Sequence, residues 1–365
     1  MKLIENIVSG LSMVKRYHYK WVAVLAISWT AIDVLYWLRY IQLGHGIKDG
    51  IYEIAPVGAI IIRALIVLIM SVLIVNLLIF KMREAFRNSP TLIYLGLKTV
   101  LIFLCALVMN FLLHNAYSIF TLHRSVGESL SYFYSHTTSS LWLIEHSIGW
   151  VVLFILSHLL IEINEKYSPG MFFQILTGKY IQPKIEERIV MFMDMKDSTT
   201  IAERLDSKQY FMFIRDYIYF LSVALLEYDG RIYQYVGDEI VVSWNCNRHN
   251  ARKCIAALMY ANRLLIRNKR YFNKTYGALP EFKVGIHCGE VTVGEIGIIK
   301  KDLVMSGDTM NTAARIRSLC TEYNYNYMMS KEFMEKSALN QKLEHVGEVE
   351  VKGKNNSIDV YALMI

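Results

Sequence analysis

The chain has 365 residues, enough for two domains that each bury a core of their own. Hydrophobic residues make up 54% of the sequence and charged residues 19%; a soluble protein carries roughly 25% charged residues, so the composition indicates a membrane region. The net charge of +7 is too diffuse for a nucleic-acid binder, but it suits a protein that lies beside anionic lipid and binds a polyphosphate.

Four apolar runs of membrane-spanning length occupy the first half of the chain, near residues 20–41, 54–79, 92–113 and 139–162. No small-residue cleavage pattern follows the first run, so we interpret it as a span and not as a signal peptide. We predict a transmembrane module over residues 1–163, a linker or coupling segment over 164–185, and a second domain over 186–365. The boundary is set by Pro169-Gly170 and Pro183, which interrupt the helical pattern.

Basic residues predict the orientation of these spans. They cluster before the first span, between the second and third spans, and after the fourth: Lys2, Lys15, Arg16, Lys20, Lys81, Arg83, Arg87, Lys98, Lys166 and Lys179. The loops near 42–53 and 114–138 carry few cations. The positive-inside rule therefore predicts a cell (plasma or inner) membrane protein with both termini and the second domain in the cytoplasm.

A few polar residues lie inside the predicted spans. Asp33 and Arg63 would sit at similar depths, which predicts an ion pair; separate contacts with a wet cleft or with the membrane interface are the alternative. The histidines raise the alternative of haem or metal ligation: His18, His114, His146 and His158. We favour packing and interface roles, because the two histidines of the fourth span differ by about 120° around the helix.

The second domain opens with an apolar strand that ends in an acid, Ile189-Val190-Met191-Phe192-Met193-Asp194, followed by Met195-Lys196-Asp197-Ser198-Thr199-Thr200. Such a strand end presents a carboxylate to a metal ion. The turn after it and the start of the next helix, with Ser198 and Thr199, would face a phosphate. An ordinary helix cap is the structural alternative.

A second acid lies in a predicted β-hairpin over residues 229–244, at the turn Gly237-Asp238. Two such acids on adjacent strands can hold two divalent cations, which activate an attacking oxygen and neutralise a leaving pyrophosphate. We interpret the neighbouring acids Asp197 and Glu239 as solvated turn residues.

Three later segments complete the pattern. Residues 282–297 are predicted to form another hairpin, and Gly307-Asp308 is predicted to open a helix on which Asn311 and Arg315 share one face. The segment Glu350-Val351-Lys352-Gly353-Lys354 is predicted to be a basic turn between two late strands.

In this order the segments resemble the class III adenylate/guanylate cyclase domain, over roughly residues 186–363. The resemblance implies a membrane α-helical bundle of four spans followed by an α/β ferredoxin-like cyclase domain. It also implies a head-to-tail homodimer with active sites at the interface, two Mg²⁺ or Mn²⁺ ions per site, and conversion of ATP to 3′,5′-cyclic AMP and pyrophosphate. The bilayer is the other expected partner, and no nucleic acid is expected.

The resemblance also implies residue roles. Asp194 and Asp238 match the family's two metal-binding aspartates, with Met195 in the same metal-binding segment. Asn311 matches the asparagine that orients the ribose, and Arg315 matches the arginine that stabilises the reacting phosphate. Basic residues that contact the triphosphate are matched by Lys352 and, more loosely, by Lys301.

The pair of residues that reads the base departs from the family pattern. Adenylate cyclases of the family use Lys with Asp or Thr, and guanylate cyclases use Glu with Cys or Ser; here the two positions hold Gln234 and Val304. A Gln amide both donates and accepts, whereas Val offers no hydrogen bond. ATP is the favoured substrate because it is the more frequent one in the family that the sequence resembles, with GTP or a pyrimidine triphosphate as alternatives. A catalytically silent nucleotide-binding receptor and a transport or electron-carrying membrane protein are the other hypotheses.

Overall fold

A computed structural model describes residues 12–42, 57–81, 91–139, 142–166, 174, 177–298, 302–338, 343–349 and 357–364. The chain divides into two compact units, of which one comprises Val14–Ile163 and the other contains the chain from Asn164 onward. Each unit has its own core.

The first unit is helical. Its α-helices are α1 (Ser12–Gln42), α2 (Val57–Val75), α3 (Thr91–Phe120), α4 (Val126–Ser139) and α5 (Trp142–Lys166), and a π-helical segment, Asn76–Lys81, extends α2. Among the described residues, three stretches are long and apolar enough to cross a membrane: Tyr19–Arg39, Gly58–Val75 and Gly96–Phe120. The predicted fourth span falls mostly on α5, whose apolar part, Ser147–Ile163, is shorter. The fourth span stays a prediction.

The structure corrects the loop expected near 114–138. Helix α3 continues to Phe120, and α4 begins at Val126. Ser125 and Glu128 form a reciprocal cap: the Ser125 N–H donates to the Glu128 carboxylate at 2.9 Å, and the Glu128 N–H donates to the Ser125 hydroxyl at 3.3 Å. This Ser-x-x-Glu pattern is typical of helix starts, so the sequence contained a signal for α4.

Two buried polar contacts join the spans. The predicted ion pair is confirmed, since Arg63 donates through Nε and Nη2 to both carboxylate oxygens of Asp33, each at 2.7 Å. Trp29 Nε1 donates to Ser157 Oγ at 2.8 Å within the core of the unit. Both contacts satisfy polar groups that the bilayer interior would otherwise leave without partners.

The second unit is a mixed α/β domain. Its strands are β1 (Lys184–Met195), β2 (Arg231–Val236), β3 (Glu239–Asn245), β4 (Phe282–Ile296), β5 (Asp302–Ser306), β6 (Tyr327–Ser330), β7 (Leu343–Val349) and β8 (Ile358–Leu363). Its helices are α6 (Ser198–Arg204), α7 (Ser207–Glu227), α8 (Arg248–Arg267), α9 (Lys269–Tyr276), α10 (Asp308–Glu322) and α11 (Lys331–Ser337).

The strands form one sheet in the order β2-β3-β1-β4-β6-β8-β7, and β5 pairs with β4. The first four strands and the helices between them make the βαββαβ arrangement of a ferredoxin-like fold, which confirms the predicted class. Strand β1 lies between β3 and β4 and is antiparallel to both. Its side chains alternate between two faces, so Val190, Phe192 and Asp194 share one face. Val190 and Phe192 pack there with Ala313 of α10.

The hairpin predicted over 282–297 is wrong. Residues Phe282–Ile296 form one continuous strand, β4, which pairs with β1 along its first twelve residues and with β5 near its end. Gly289 sits inside this strand because a Cβ there would lie 2.6 Å from Thr309 Oγ1. The glycine therefore reflects the close approach of α10 and not a turn.

Candidate active site

The two predicted metal-binding acids meet at one end of the sheet. Asp194 is the second-last residue of β1. Asp238 lies in the two-residue turn between β2 and β3, where Gly237 has a φ of 60°, and this confirms the hairpin predicted over 229–244. Burial raises the pKa of the Asp194 carboxyl, the Arg317 guanidinium opposes that rise, and the Asp238 carboxylate adds to it. The two acids are therefore close enough to repel each other.

An arginine that the sequence did not single out contacts this acidic pair. Arg317 Nη1 lies 3.1 Å from Asp194 Oδ2, and its Nη2 lies 2.8 Å from Glu239 Oε2. The expectation that Glu239 is a solvated turn residue is wrong, because it is the first residue of β3 and its side chain is 15% exposed. Burial raises the pKa of the Glu239 carboxyl, and Arg317 opposes the rise.

Three buried oxygen atoms around the acids have no hydrogen-bond partner within the described part of the chain: Asp238 Oδ2, the Tyr217 hydroxyl, and Glu239 Oε2, whose contact with Arg317 is an ion pair. Burial raises the pKa of Tyr217 well above its usual range, and the negative charges of Asp194 and Asp238 add to the rise. Buried oxygens in a negative field are the ligand type that Mg²⁺ and Mn²⁺ prefer. The residues present therefore fit a divalent cation, although nowhere in the described ranges do three His, Cys, Asp or Glu side chains gather into a complete chelating group.

The predicted phosphate-binding turn follows directly. Met195 is the buried last residue of β1. Helix α6 begins at Ser198. The Ser198 hydroxyl hydrogen-bonds with Tyr210, a residue that also experiences the charges of Asp238 and Asp194. Thr199 is exposed. The turn thus lies beside the acidic pair.

The other predicted catalytic residues face away from this pair. Helix α10 begins at Asp308 with Gly307 as its cap, as predicted. Asn311 and Arg315 are exposed, and the Arg315 side chain is 42% accessible to solvent. Arg315 precedes Arg317 by two positions, which is about 200° around a helix. Since Arg317 points at Asp194, Arg315 points away from it.

The two candidate base-reading residues lie on strands that touch. Gln234 is exposed in β2, and Val304 lies in β5 opposite Gly294. The Met305 N–H donates to the Tyr233 hydroxyl at 2.9 Å, so the residues adjacent to both positions are in contact. The register of β2 against β3 shifts between Ile232 and Gln234, so Tyr233 lies at an irregularity such as a β-bulge. Lys301 and Lys352, the candidate triphosphate contacts, lie outside the described residues.

Comparison with known proteins agrees with this geometry. A sequence profile of the "Adenylate and Guanylate cyclase catalytic domain" matches residues 181–364. "Adenylate cyclase 2" of Rhizobium meliloti (strain 1021) is 30% identical over 206 residues, which is 56% of this chain and 57% of that protein. "Adenylate cyclase 1" of the same organism is 29% identical over 188 residues, or 49% of this chain and 28% of that protein. The chain thus spans little more than half of the first relative and under a third of the second.

A solved structure has the same fold. A bacterial light-regulated adenylyl cyclase superimposes with a TM-score of 0.50 at 19% sequence identity. The match covers 61% of this chain and 65% of that one. At this identity the likeness supports the fold of the second unit and nothing finer.

Proposed function

We propose, since the chain belongs to the adenylate and guanylate cyclase family, that it is a membrane-anchored enzyme that converts ATP to 3′,5′-cyclic AMP and pyrophosphate. The observation that carries this proposal is the meeting of Asp194 and Asp238 at one sheet end, with Asp238 Oδ2 buried and lacking a hydrogen-bond partner among the described residues. A buried carboxylate oxygen without a partner is costly unless a ligand uses it.

In this proposal Asp194, Asp238 and the main chain near Met195 hold two Mg²⁺ or Mn²⁺ ions per site. When bound, these ions lower the pKa of the ribose 3′-hydroxyl and neutralise phosphate charge. Ser198 and Thr199 lie where the phosphates would pass, and Lys352 and Lys301 are proposed to contact the triphosphate.

Arg315 and Asn311 would act at the reacting groups. Arg315 would donate to oxygens whose negative charge grows as the α-phosphorus is attacked; such donors contribute about 10²–10³-fold to turnover. Asn311, one helical turn earlier on the same face of α10, would orient the ribose.

The directions of the α10 side chains support a homodimer. Arg317 contacts the acids of its own chain, and Arg315 points about 200° away. We therefore propose that each site takes Asp194 and Asp238 from one protomer and Asn311 and Arg315 from the other. In such a head-to-tail pair the two protomers are related by a two-fold axis, which gives two equal sites per dimer.

ATP is the proposed substrate because both Rhizobium relatives are named adenylate cyclases. The Gln234 amide can serve the adenine edge by donating and accepting, while Val304 supplies only apolar contact. Weak discrimination between ATP and GTP is the expected consequence, because a pocket with few hydrogen bonds rejects the wrong base poorly.

The helical unit would anchor the enzyme in a cell membrane, with the termini and the catalytic unit in the cytoplasm as the basic residues predict. The segment 164–185 is proposed to couple the units. Its described end is firmly attached to the catalytic sheet: the Lys179 N–H donates to the Gln174 carbonyl at 2.9 Å, and Lys179 Nζ pairs with Glu186 of β1 at 2.7 Å.

The proposal is tested by incubating purified full-length protein with ATP, GTP, CTP or UTP and either Mg²⁺ or Mn²⁺. Chromatography with mass spectrometry would identify the products. We expect cyclic AMP to dominate and cyclic GMP to be detectable. A different dominant cyclic nucleotide would overturn the choice of ATP, and no cyclic product from any nucleotide would overturn the enzymatic function.

A further inference from the structure

The Arg317 guanidinium occupies one side of the acidic site. It bridges Asp194 and Glu239 at 3.1 and 2.8 Å, and these three side chains are only 29%, 25% and 15% exposed. Asp238 has no such partner; its Oδ2 is buried without a hydrogen bond from any described residue. One acid of the pair is therefore neutralised by the protein itself, and the other is left open.

Close packing fixes the position of Arg317. A Cβ on Gly285 of β4 would lie 2.2 Å from the Arg317 main-chain nitrogen and 2.7 Å from its Cα. Only glycine allows this approach of helix to strand. The start of α10 is fixed as well, because Thr309 Oγ1 donates to the Glu290 carbonyl at 2.7 Å. With both ends of this stretch held on the sheet, the guanidinium is positioned at the strand ends.

We infer that Arg317 is an internal counter-cation that competes with a divalent metal ion for Asp194, and that it thereby sets the metal concentration at which the site fills. The inference rests on the proposed role of Asp194 and Asp238 as metal ligands. A divalent ion at this site would be attracted by the same Asp194 carboxylate charge that Arg317 now neutralises through Oδ2. On metal binding the guanidinium keeps Glu239 as its partner and gives up Asp194.

Lys283 provides a matched control. It lies opposite Asp194 on β4, and its charge also acts on that carboxyl. Its Nζ, however, donates to Thr321 Oγ1 at 2.9 Å and bridges no pair of acids. Lys283→Gln removes one positive charge near Asp194, as Arg317→Gln does, without emptying the space between Asp194 and Glu239.

The test is Mn²⁺ binding to purified full-length protein without nucleotide, measured from the electron paramagnetic resonance signal of free Mn²⁺. An opposite charge in contact shifts the proton affinity of a carboxylate by one to three pKa units, so Arg317→Gln should tighten Mn²⁺ binding by about tenfold or more. Lys283→Gln should tighten it by less than about threefold, because a cation at the edge of the site is screened by solvent. Equal or weaker Mn²⁺ binding in Arg317→Gln, or an equal gain in both variants, would overturn the inference.

Two further measurements keep the test decisive. Arg317→Lys keeps a charge but loses the planar fork that spans both acids, so it should bind Mn²⁺ more tightly than wild type does. This comparison can be made even if Arg317→Gln does not fold, and equal or weaker binding by Arg317→Lys would then overturn the inference. The rise in melting temperature on adding Mn²⁺ should be larger for Arg317→Gln than for wild type, because its metal-free acids repel each other.

The outcomes also separate this inference from the proposed function. Tighter Mn²⁺ binding by Arg317→Gln without any cyclic nucleotide would support the counter-cation and refute the cyclase. Cyclic nucleotide formation by wild type, with unchanged Mn²⁺ affinity in Arg317→Gln, would support the cyclase and refute the counter-cation.

Discussion

Sharing of each active site between two protomers predicts a specific pattern of activity in mixed dimers. Asp238→Asn removes an acid that no ion pair holds among the described residues, and Arg315→Gln removes an exposed cation whose contact with Glu322 is 3.9 Å long. Each substitution alone should lower turnover by about 10²–10³-fold, the usual effect of losing a donor to developing charge or a comparable ligand. Neither side chain supports the core, so both proteins should fold.

When the two variants are co-expressed, the fraction of activity that returns can be calculated. Random pairing makes half of all dimers heterodimers, and each heterodimer holds one intact site of two, so activity should return to about a quarter of wild type. If each site were built within one chain, both variants would stay inactive when mixed. The assay is cyclic AMP formation by the whole co-expressed mixture, without separation of homodimers from heterodimers, normalised to protein.

The reciprocal mixture is the control. Here a chain that carries both substitutions is co-expressed with wild type. If the sites are shared, each site of the heterodimer contains one substituted residue, so only wild-type homodimers are active and about a quarter of full activity remains. Sites within single chains would leave about half, because every wild-type chain would stay active. Recovery of half in this mixture, or none in the first, would refute the shared site.

Three other predictions follow from single contacts. Changing Gln234 to Lys together with Val304 to Asp should raise the ATP/GTP ratio of kcat/KM, because a hydrogen-bonding pocket penalises the mismatched base edge; an unchanged ratio would mean that these positions do not read the base. Arg63→Gln should sharply lower the melting temperature of the protein in micelles, because a buried Asp33 without its partner costs about 3–5 kcal/mol. Adding Asp33→Asn to this variant should recover part of the loss. If the effects of the two substitutions simply add, Arg63 and Asp33 do not stabilise each other. Hydrogen bonds from Lys179 and Arg188, together with their charges, outweigh the effect of burial and lower the pKa of Glu186 to about 2. The contribution of ionised Glu186 to the free energy of unfolding is therefore complete above the unfolded-state pKa and is lost as the pH falls towards 2. Glu186→Gln should cost about 1–3 kcal/mol at pH 7, and the difference in melting temperature between this variant and wild type should disappear in acid.

Local sequence patterns predicted much of the catalytic unit. Two features were predicted correctly: the Gly237-Asp238 turn between alternating strands and the start of α10 at Gly307-Asp308. Each uses a residue type that its backbone geometry requires. The apolar strand that ends at Asp194 was legible for the same reason. These features depend on neighbours within a few positions.

Features that depend on packing between distant segments were misread or missed. Residues 282–297 were predicted to form a hairpin, but they form one strand in which the missing side chain of Gly289 accommodates Thr309, twenty residues away. Glu239 was predicted to be solvated because its partner, Arg317, lies 78 residues later in the chain and no neighbouring residue indicates that contact. The two-residue offset from Arg315 to Arg317 was a usable signal, since it puts the second arginine on the inner face of α10.

The central claim is that Asp194 and Asp238 form the working centre of a cyclase, and the most direct test measures both products at once. Purified full-length protein is incubated with α-labelled ATP and Mn²⁺, and cyclic AMP and pyrophosphate are quantified over time. We predict equal amounts of the two products from wild type and a loss of both in Asp238→Asn, with an unchanged melting profile. Release of orthophosphate in place of pyrophosphate, or near-normal cyclic AMP formation by Asp238→Asn, would contradict the account.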